Sequence, residues 1–558
     1  MESNRIDGIM KNWVYRLAAW FAGGLLLGCV VATVMVDDPV VPAGLQGKQW
    51  IWLSEALLVA LPFWAAGGIL NFRFTVHIVS EVAEWVLMFG GAVQALLGLG
   101  QIAGLYPSGH SLFVLTGTFY NPGPYSGYLA AILPVALCRM LSVNGRTGRR
   151  AKVEYYVSLC VVMLVLCVLP AGMSRAAWLA AFVSCGYVTF RIYGDRIKFF
   201  ILKYKYAVLG VLLSGIFLAA GAYLMKRDSA DGRLLIWKIT MRAIADNPMG
   251  EERGRTFSAL YGDAQEEYFM EGKFSDAEAW VAGSPDFAFN EFLQIAAERG
   301  IWVAVAVVVW LLVLLGFAGK RKRLTGMGGC LVSLMVFASF SYPLHIPAIV
   351  SVWVLTVMVL MGEWLVAIRP EKLAKVVLLL AALAGLGASV SIHRVYEERV
   401  QAAREWMPLR GLYRAGDYQA AVKAYEKLYS RMNWNDDYCF EYGRALYRLK
   451  CYEKAEEELK RALTVSGDPM ILNLLGRNAQ DKGEFEKAEE FLIRSTHRLP
   501  ERIYPYYLLV KLYAVPEYYS REKLVRAAEK VLYSEPKVNS TAVREMRQEV
   551  RSILNERK

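Results

Sequence analysis

The chain has 558 residues, of which 56% are hydrophobic and 20% charged, with 63 Lys and Arg against 51 Asp and Glu. A soluble domain carries about 25% charged and roughly 45–50% apolar residues, so a single soluble globule and a disordered chain are both excluded. Half of the charged residues lie in 394–558, and the rest sit in short clusters between long apolar runs. That pattern predicts an all-α protein: a polytopic membrane helix bundle followed by a soluble helical domain.

A helix crossing the hydrocarbon core needs about 20 mainly apolar residues. Eleven runs qualify: Val14–Val36, Trp50–Leu70, Val79–Leu105, Tyr125–Leu141, Tyr155–Pro170, Ala176–Ile192, Tyr206–Leu224, Ile301–Phe317, Met327–Phe340, Ile346–Ala367 and Val376–Ile392. The first run reads as an uncleaved anchor. Basic clusters occupy alternate loops: Arg5/Lys11, Arg73, Arg146–Lys152, Arg191–Lys203, Lys320–Arg323 and Arg369–Lys375. Because Lys and Arg are retained on the cytoplasmic side, the expected topology has the N-terminus inside and the C-terminus outside. The net charge of +12 is then mainly a topology signal and requires no nucleic acid. The expected domains are 1–393, membrane-embedded with a large external loop over 226–300, and 394–558, extracytoplasmic. The expected location is the bacterial plasma (inner) membrane.

In the tail, segments starting at Gly416, Cys451 and Gly483 align with one another. Their aromatic anchors Tyr418, Tyr452 and Phe485 are 34 and 33 residues apart, and Ala421, Ala455 and Ala488 repeat with them. This period, with Pro500 after the third segment, resembles the tetratricopeptide repeat, an α-solenoid of helix pairs; an irregular unit around Tyr518–Pro536 is expected to cap it. Such a stack is either a scaffold or a groove for a protein or glycan partner. Cys439 and Cys451 could be a disulfide or two thiols.

The chemistry is expected on the outward loops. Arg175, in Ala171–Ala180, is the single cation of its short loop, a functional position or a side chain snorkelling to headgroups. The segment Asp231–Gly250 has helical spacing of Leu235, Ile239 and Ile244, which suggests an amphipathic helix on the membrane with Arg233 and Arg242 on its polar side. Guanidinium groups offer forked donors to phosphate oxygens. Asn121, in Asn121–Pro124, either caps a transmembrane helix or lies where that helix N-terminus receives a phosphate.

Five strings together resemble the O-antigen ligase superfamily, which includes O-antigen ligases, O-antigen polymerases and protein O-oligosaccharyltransferases. They are Gly117–Ala130, Ser174–Ala180, Arg233–Trp237, Asn247–Phe257 (which contains Arg255) and Ala288–Gly300. The resemblance implies transfer of a glycan from a polyprenyl diphosphate carrier to a lipid A–core, protein or polysaccharide acceptor, without metal or cofactor. It implies that Arg175 and Arg233 hold the diphosphate, with Asn121, Arg242 and Arg255 as further substrate contacts. One departure stands out. Family ligases often carry a His where this chain has Phe289, followed by Asn290 and Glu291. An aromatic ring cannot take a proton from the acceptor hydroxyl, so Glu291, His345 and His110 become the candidate bases, and Asn290 either orients the acceptor or caps a helix.

No phosphate-binding Gly-Lys-Ser loop and no zinc-spaced Cys or His pairs occur. Glu81 and Glu84 share a helix face in the third run and admit a transporter reading, but no internal repeat of the membrane half supports one. Three readings therefore stand: a glycan transferase, a transporter of lipid-linked glycans, and an envelope scaffold.

Overall fold

A computed structural model describes residues 19–37, 46–144, 146–204, 206, 227–250, 255–368 and 370–557, and these contain helices and connections but no strand. The chain divides into two compact units, Met1–Leu212 with Ala306–Gln401, and Leu213–Val305 with Ala402–Lys558.

The first unit holds the apolar helices. These are α1 (Ala19–Met35), α2 (Gly47–Ile102), α3 (Pro122–Val143), α4 (Arg149–Val168), α5 (Arg175–Lys203), α10 (Ile301–Gly319), α11 (Thr325–Ala338), α12 (Pro347–Ala367) and α13 (Glu371–Ala415). Among the described residues seven helices are long and apolar enough to cross a membrane; α1 and α11 are not among them. The protein is a multi-pass membrane protein. The expected second and third runs share the 56-residue α2, which breaks at Asn71 (φ −147°, ψ 84°). Unbroken, it would extend roughly 84 Å, far beyond a hydrocarbon core of about 30 Å. The expected Met327–Phe340 run is the 14-residue α11, roughly 21 Å long and shorter than that core. Tyr206–Leu224, apart from Tyr206, lies outside the described residues, as do Arg5, Lys11 and Arg369.

Small residues set the packing. The ideal Cβ of Gly127 on α3 would fall 2.3 Å from the Phe337 ring, and that of Gly68 would fall 2.3 Å from Leu378. Helices in lipid gain most from such close approach, and α3 is accordingly the most enclosed: Tyr125, Tyr128, Leu129 and Ile132 are fully buried. Cations from several loops meet at one end of this unit. Arg139 bonds Glu84 and Glu154 at 2.7 Å each, Arg150 reaches Glu81 at 3.4 Å, Arg323 pairs with Glu363 and lies 3.1 Å from His77, and Lys375 donates to the Ile69 carbonyl. All of these partners except Glu154 and Glu363 flank the break at Asn71. Glu81 and Glu84 are thereby partners of loop arginines.

The second unit joins the large loop to the repeats. The loop supplies α6 (Arg227–Asp246), α7 (Phe257–Met270), α8 (Asp276–Val281) and α9 (Glu291–Arg299). Four helix pairs follow: the end of α13 with α14 (Tyr418–Met432), α15 (Asp436–Arg448) with α16 (Tyr452–Val465), α17 (Pro469–Lys482) with α18 (Phe485–Arg498), and α19 (Ile503–Tyr513) with α20 (Arg521–Tyr533); α21 (Thr541–Glu556) closes the stack. Ala421, Ala455 and Ala488 are fully buried, as the repeat requires. Gly443 and Gly476, 33 apart, admit Leu459 and Leu492, also 33 apart, with ideal Cβ approaches of 2.8 and 2.7 Å. Both cysteines are free thiols: Cys439 is buried and its thiol is pushed up to about 12 by burial, while Cys451 is exposed.

Helix α7 packs as part of this solenoid. Thr256 Oγ1 donates to the Val465 carbonyl at 2.7 Å, and the Gly467 amide donates to Ser258 Oγ at 3.2 Å. Arg498, 1% exposed, reaches Asp263 at 2.5 Å and Glu266 at 3.2 Å, and Arg494 adds a 2.7 Å bond to Glu266. Gly262 lies so close that its ideal Cβ would fall 2.8 Å from the Cα of Gly467. The expected boundary near 393/394 grouped this loop with the membrane helices; by packing, 213–305 groups with 402–558.

Candidate functional site

The Gly117–Ala130 string is held by two glutamines of α2. Gln101 Oε1 accepts from the amides of Thr116 (3.0 Å) and Gly117 (2.8 Å), and its Nε2 donates to the Gly117 carbonyl. Gln94 bonds the Thr118 amide and hydroxyl, and Thr118 Oγ1 donates to the Val34 carbonyl at 2.5 Å. Gly117 is in the left-handed region (φ 57°), and a Cβ there would strike Gln94 and Tyr125 at 2.6 Å. The next turn starts α3. Asn121 caps it, accepting from the Gly123 amide at 3.0 Å, so the capping role is realised by this side chain. Thr118 is committed to Gln94 and does not cap.

Arg175 opens α5 after a tight turn. Met173 stands at φ 46°, Ser174 Oγ accepts from the Ala177 amide, and Trp178 Nε1 donates to the Leu169 carbonyl at 2.9 Å. The turn abuts the start of α3: an ideal Cβ on Gly172 would fall 2.0 Å from Ser126 Oγ. Arg175 and Asn121 are thus on adjoining turns of the first unit, with Arg175 half-buried. His345 ends an exposed 3₁₀ turn, Pro343–His345. His110 accepts the Leu112 amide on Nδ1 at 2.9 Å and packs on Phe113, which makes it a loop fastener.

In the second unit, α6 carries Arg233. The apolar side expected to lie on the membrane is buried in protein instead. Leu235 and Ile239 pack with Phe257, Tyr261 and Phe269, and Ile244 with Leu260 and Ala296. On the neighbouring side, Trp237 Nε1 donates to the Ala288 carbonyl at 3.0 Å, and the Ala288 amide donates to Gln294 Oε1 at 3.1 Å. These bonds fix the turn in which Phe289 adopts φ 51° and sets its ring centroid 5.0 Å from the Arg233 guanidinium. Asn290 then caps α9, accepting from the amides of Phe292 and Leu293. Glu291 follows as the first residue of α9 and is 2% exposed. Arg233, Phe289, Asn290 and Glu291 are thus carried by α6 and the turn that opens α9.

Arg242 pairs with Glu271 and Asp246, and Arg255 with Asp263. Lys238, one turn beyond Arg233, donates to Tyr268 (2.7 Å) and Glu278 (2.6 Å), and Tyr268 donates to Glu278 at 3.0 Å. Burial raises the Glu278 carboxyl, but bonds from Lys238, the Ser275 amide and Tyr268 outweigh it and hold the group at about 2. This triad clamps α6 to α7 and α8. Among the described residues no three His, Cys, Asp or Glu side chains converge as a metal site would require.

Sequence reasoning missed Gln94 and Gln101. Their signal was present: two amides seven apart, on one helix face, inside the apolar run Val79–Leu105.

Residues 160–308 match a family model described as O-antigen ligase, and residues 412–477 match one described as tetratricopeptide repeat. The chain carries an O-antigen ligase domain. No curated protein matches the chain. The ligase match spans Arg175, Arg233, Arg242, Arg255, Asn290 and Glu291, while Asn121 and His345 lie outside it. It supports membrane glycan transfer as the activity of the chain, and the repeat model covers the first two helix pairs from Leu412 onward.

Proposed function

We propose that this protein transfers a glycan from a polyprenyl diphosphate carrier to an acceptor hydroxyl at the outer face of the plasma membrane. The observation that carries the reading is Arg233, held over Phe289 in the turn that leads into Asn290 and Glu291, within the stretch matching the ligase family. Arg233 and Arg175 are assigned to the donor diphosphate. In the reaction the acceptor oxygen bonds the anomeric carbon as the bond from that carbon to the diphosphate oxygen breaks. The electron pair leaves with the diphosphate, and the hydroxyl proton passes to Glu291. Fixed guanidinium groups aimed at the growing charge on the leaving group lower this barrier most in a site shielded from water, and they let the step proceed without a metal ion.

The outward placement of the loop and the repeats, with the N-terminus cytoplasmic, is part of the same proposal. It is supported by the gathering of Arg139, Arg150, Arg323 and Lys375 at one end of the membrane unit, since cations are retained on the cytoplasmic side.

The test incubates purified protein with a defined polyprenyl diphosphate glycan and candidate acceptors and identifies the glycosylated product by mass spectrometry. Arg175→Ala and Arg233→Ala should each lower transfer by about 100-fold or more with unchanged circular dichroism. Donor that crosses vesicles without being consumed would establish a transporter instead. Unchanged transfer in both variants would remove the arginines from the mechanism.

A further inference from the structure

The inner helices of the repeats carry a second feature, separate from the transfer reaction. Side chains of α15, α17 and α19 enclose a small cavity of about 80 Å³. Its charged lining is Arg444, Arg448 and Arg477, and among the described residues none of the three has a carboxylate within ion-pair distance. Their guanidinium groups meet aromatic rings: Arg477 lies 5.5 Å over Tyr447, Arg448 lies 5.9 Å over Tyr418, and Arg444 bonds Tyr413. The nearby carboxylate of Asp481 is taken by the Tyr447 hydroxyl at 2.7 Å. Asp436, Asp437 and Asp468 stand at the opposite ends of the same helices, so the groove is positive only toward their C-terminal turns.

The second observation is Asn473. Its side chain lines the same cavity and is 3% exposed, yet its Oδ1 has no hydrogen-bond partner, and its Nδ2 reaches only Met470 Sδ at 3.7 Å. An acceptor left unsatisfied in a folded interior costs about 1–3 kcal/mol, so a donor from outside the fold is called for. Three arginines without carboxylate partners and a buried amide without a donor specify a ligand that is anionic and also offers N–H groups.

We propose that this groove binds an extended acidic peptide, with Arg444, Arg448 and Arg477 taking its carboxylates and Asn473 Oδ1 taking a backbone N–H. Arg444 and Arg477 occupy equivalent positions 33 residues apart on helices that touch, and packed helices lie about 8–10 Å apart. In a polyproline-II chain, residues three apart point the same way and are separated by roughly 9 Å. Acidic side chains at every third position therefore match the spacing. A space of about 80 Å³ corresponds to only two or three waters at about 30 Å³ each. It accepts a carboxylate and is too small to enclose a sugar ring.

The test uses the full chain in detergent and a short fluorescein-labelled peptide with glutamate at every third position between prolines and alanines. Its glutamine counterpart is the control. Fluorescence anisotropy should show the glutamate peptide binding at least about tenfold more tightly, with affinity falling as salt rises. The double variant Arg444→Gln/Arg477→Gln should lose about tenfold or more. Asn473→Leu should weaken binding several-fold while its melting temperature stays level or rises, because the orphaned acceptor is gone. Equal affinity for the two peptides, or unaltered binding in the arginine variant, would overturn the proposal. So would an acidic oligosaccharide that outcompetes the peptide and is itself lost in the same variants.

Discussion

The ring of Phe289 lies 5.0 Å from the guanidinium of Arg233, and Phe289 reaches that place only through a left-handed backbone at φ 51°. A bulky residue does not adopt this conformation without support, and here the Trp237–Ala288 and Ala288–Gln294 bonds supply it. Where related ligases often carry an imidazole, this chain uses an aromatic face to hold a cation. Such contacts are worth about 0.5–2 kcal/mol. Phe289→Leu should therefore lower transfer roughly 2- to 30-fold and Phe289→Tyr should stay near the parent, measured as initial rates with one defined donor.

Arg498 ties α7 to the repeats through Asp263 and Glu266 while almost wholly buried. Breaking a buried ion pair from one side costs about 3–5 kcal/mol. Arg498→Ala should lower stability by that amount, and hydrogen exchange should show amides of both 257–270 and 485–498 losing protection together. Loss of protection confined to 485–498 would mean that α7 holds its place without this arginine.

Acid should loosen α6 through Glu278. Its carboxyl titrates at about 2 in the fold, below the ordinary value of about 4.3. A lowered carboxyl contributes stability that is present above the unfolded value and lost as pH falls toward the folded one. Exchange protection of 227–246 should thus drop between roughly pH 4 and pH 2, and Glu278→Gln should flatten that part of the profile.

Lys450 stands at φ 62° where the flanking repeats have Gly416 (φ 82°) and Gly483 (φ 86°), 34 and 33 residues away. The left-handed conformation costs a side-chain-bearing residue about 1–2 kcal/mol. Lys450→Gly should raise the melting temperature, and Gly483→Ala should lower it by a comparable amount.

Much of this architecture is legible in the residues. Hydropathy locates the membrane helices because each must satisfy its own backbone in lipid, and the spacing of Tyr418, Tyr452 and Phe485 locates the repeats because each pair needs its neighbour's apolar face. The same local rules mislead at α6. The spacing of Leu235, Ile239 and Ile244 announces a buried side but not what buries it, and the partner is protein rather than lipid. The bonds of Asp263 and Glu266 to Arg494 and Arg498 leave no local pattern, since ordinary surface helices carry the same charges. Of the site, the arginines and the Asn290 cap are readable from type and position. The contact between Phe289 and Arg233 is not, because it depends on one backbone angle.

Asp263 and Arg498 are 235 residues apart in the chain. A ribosome adds about 5–20 residues per second, so roughly ten to fifty seconds separate their synthesis. Through that interval the acidic face of α7 has no counter-ion from α18, and the nascent loop stands open to proteases and to mispairing. A cell making this protein must shelter a half-finished fold until its last third has been translated.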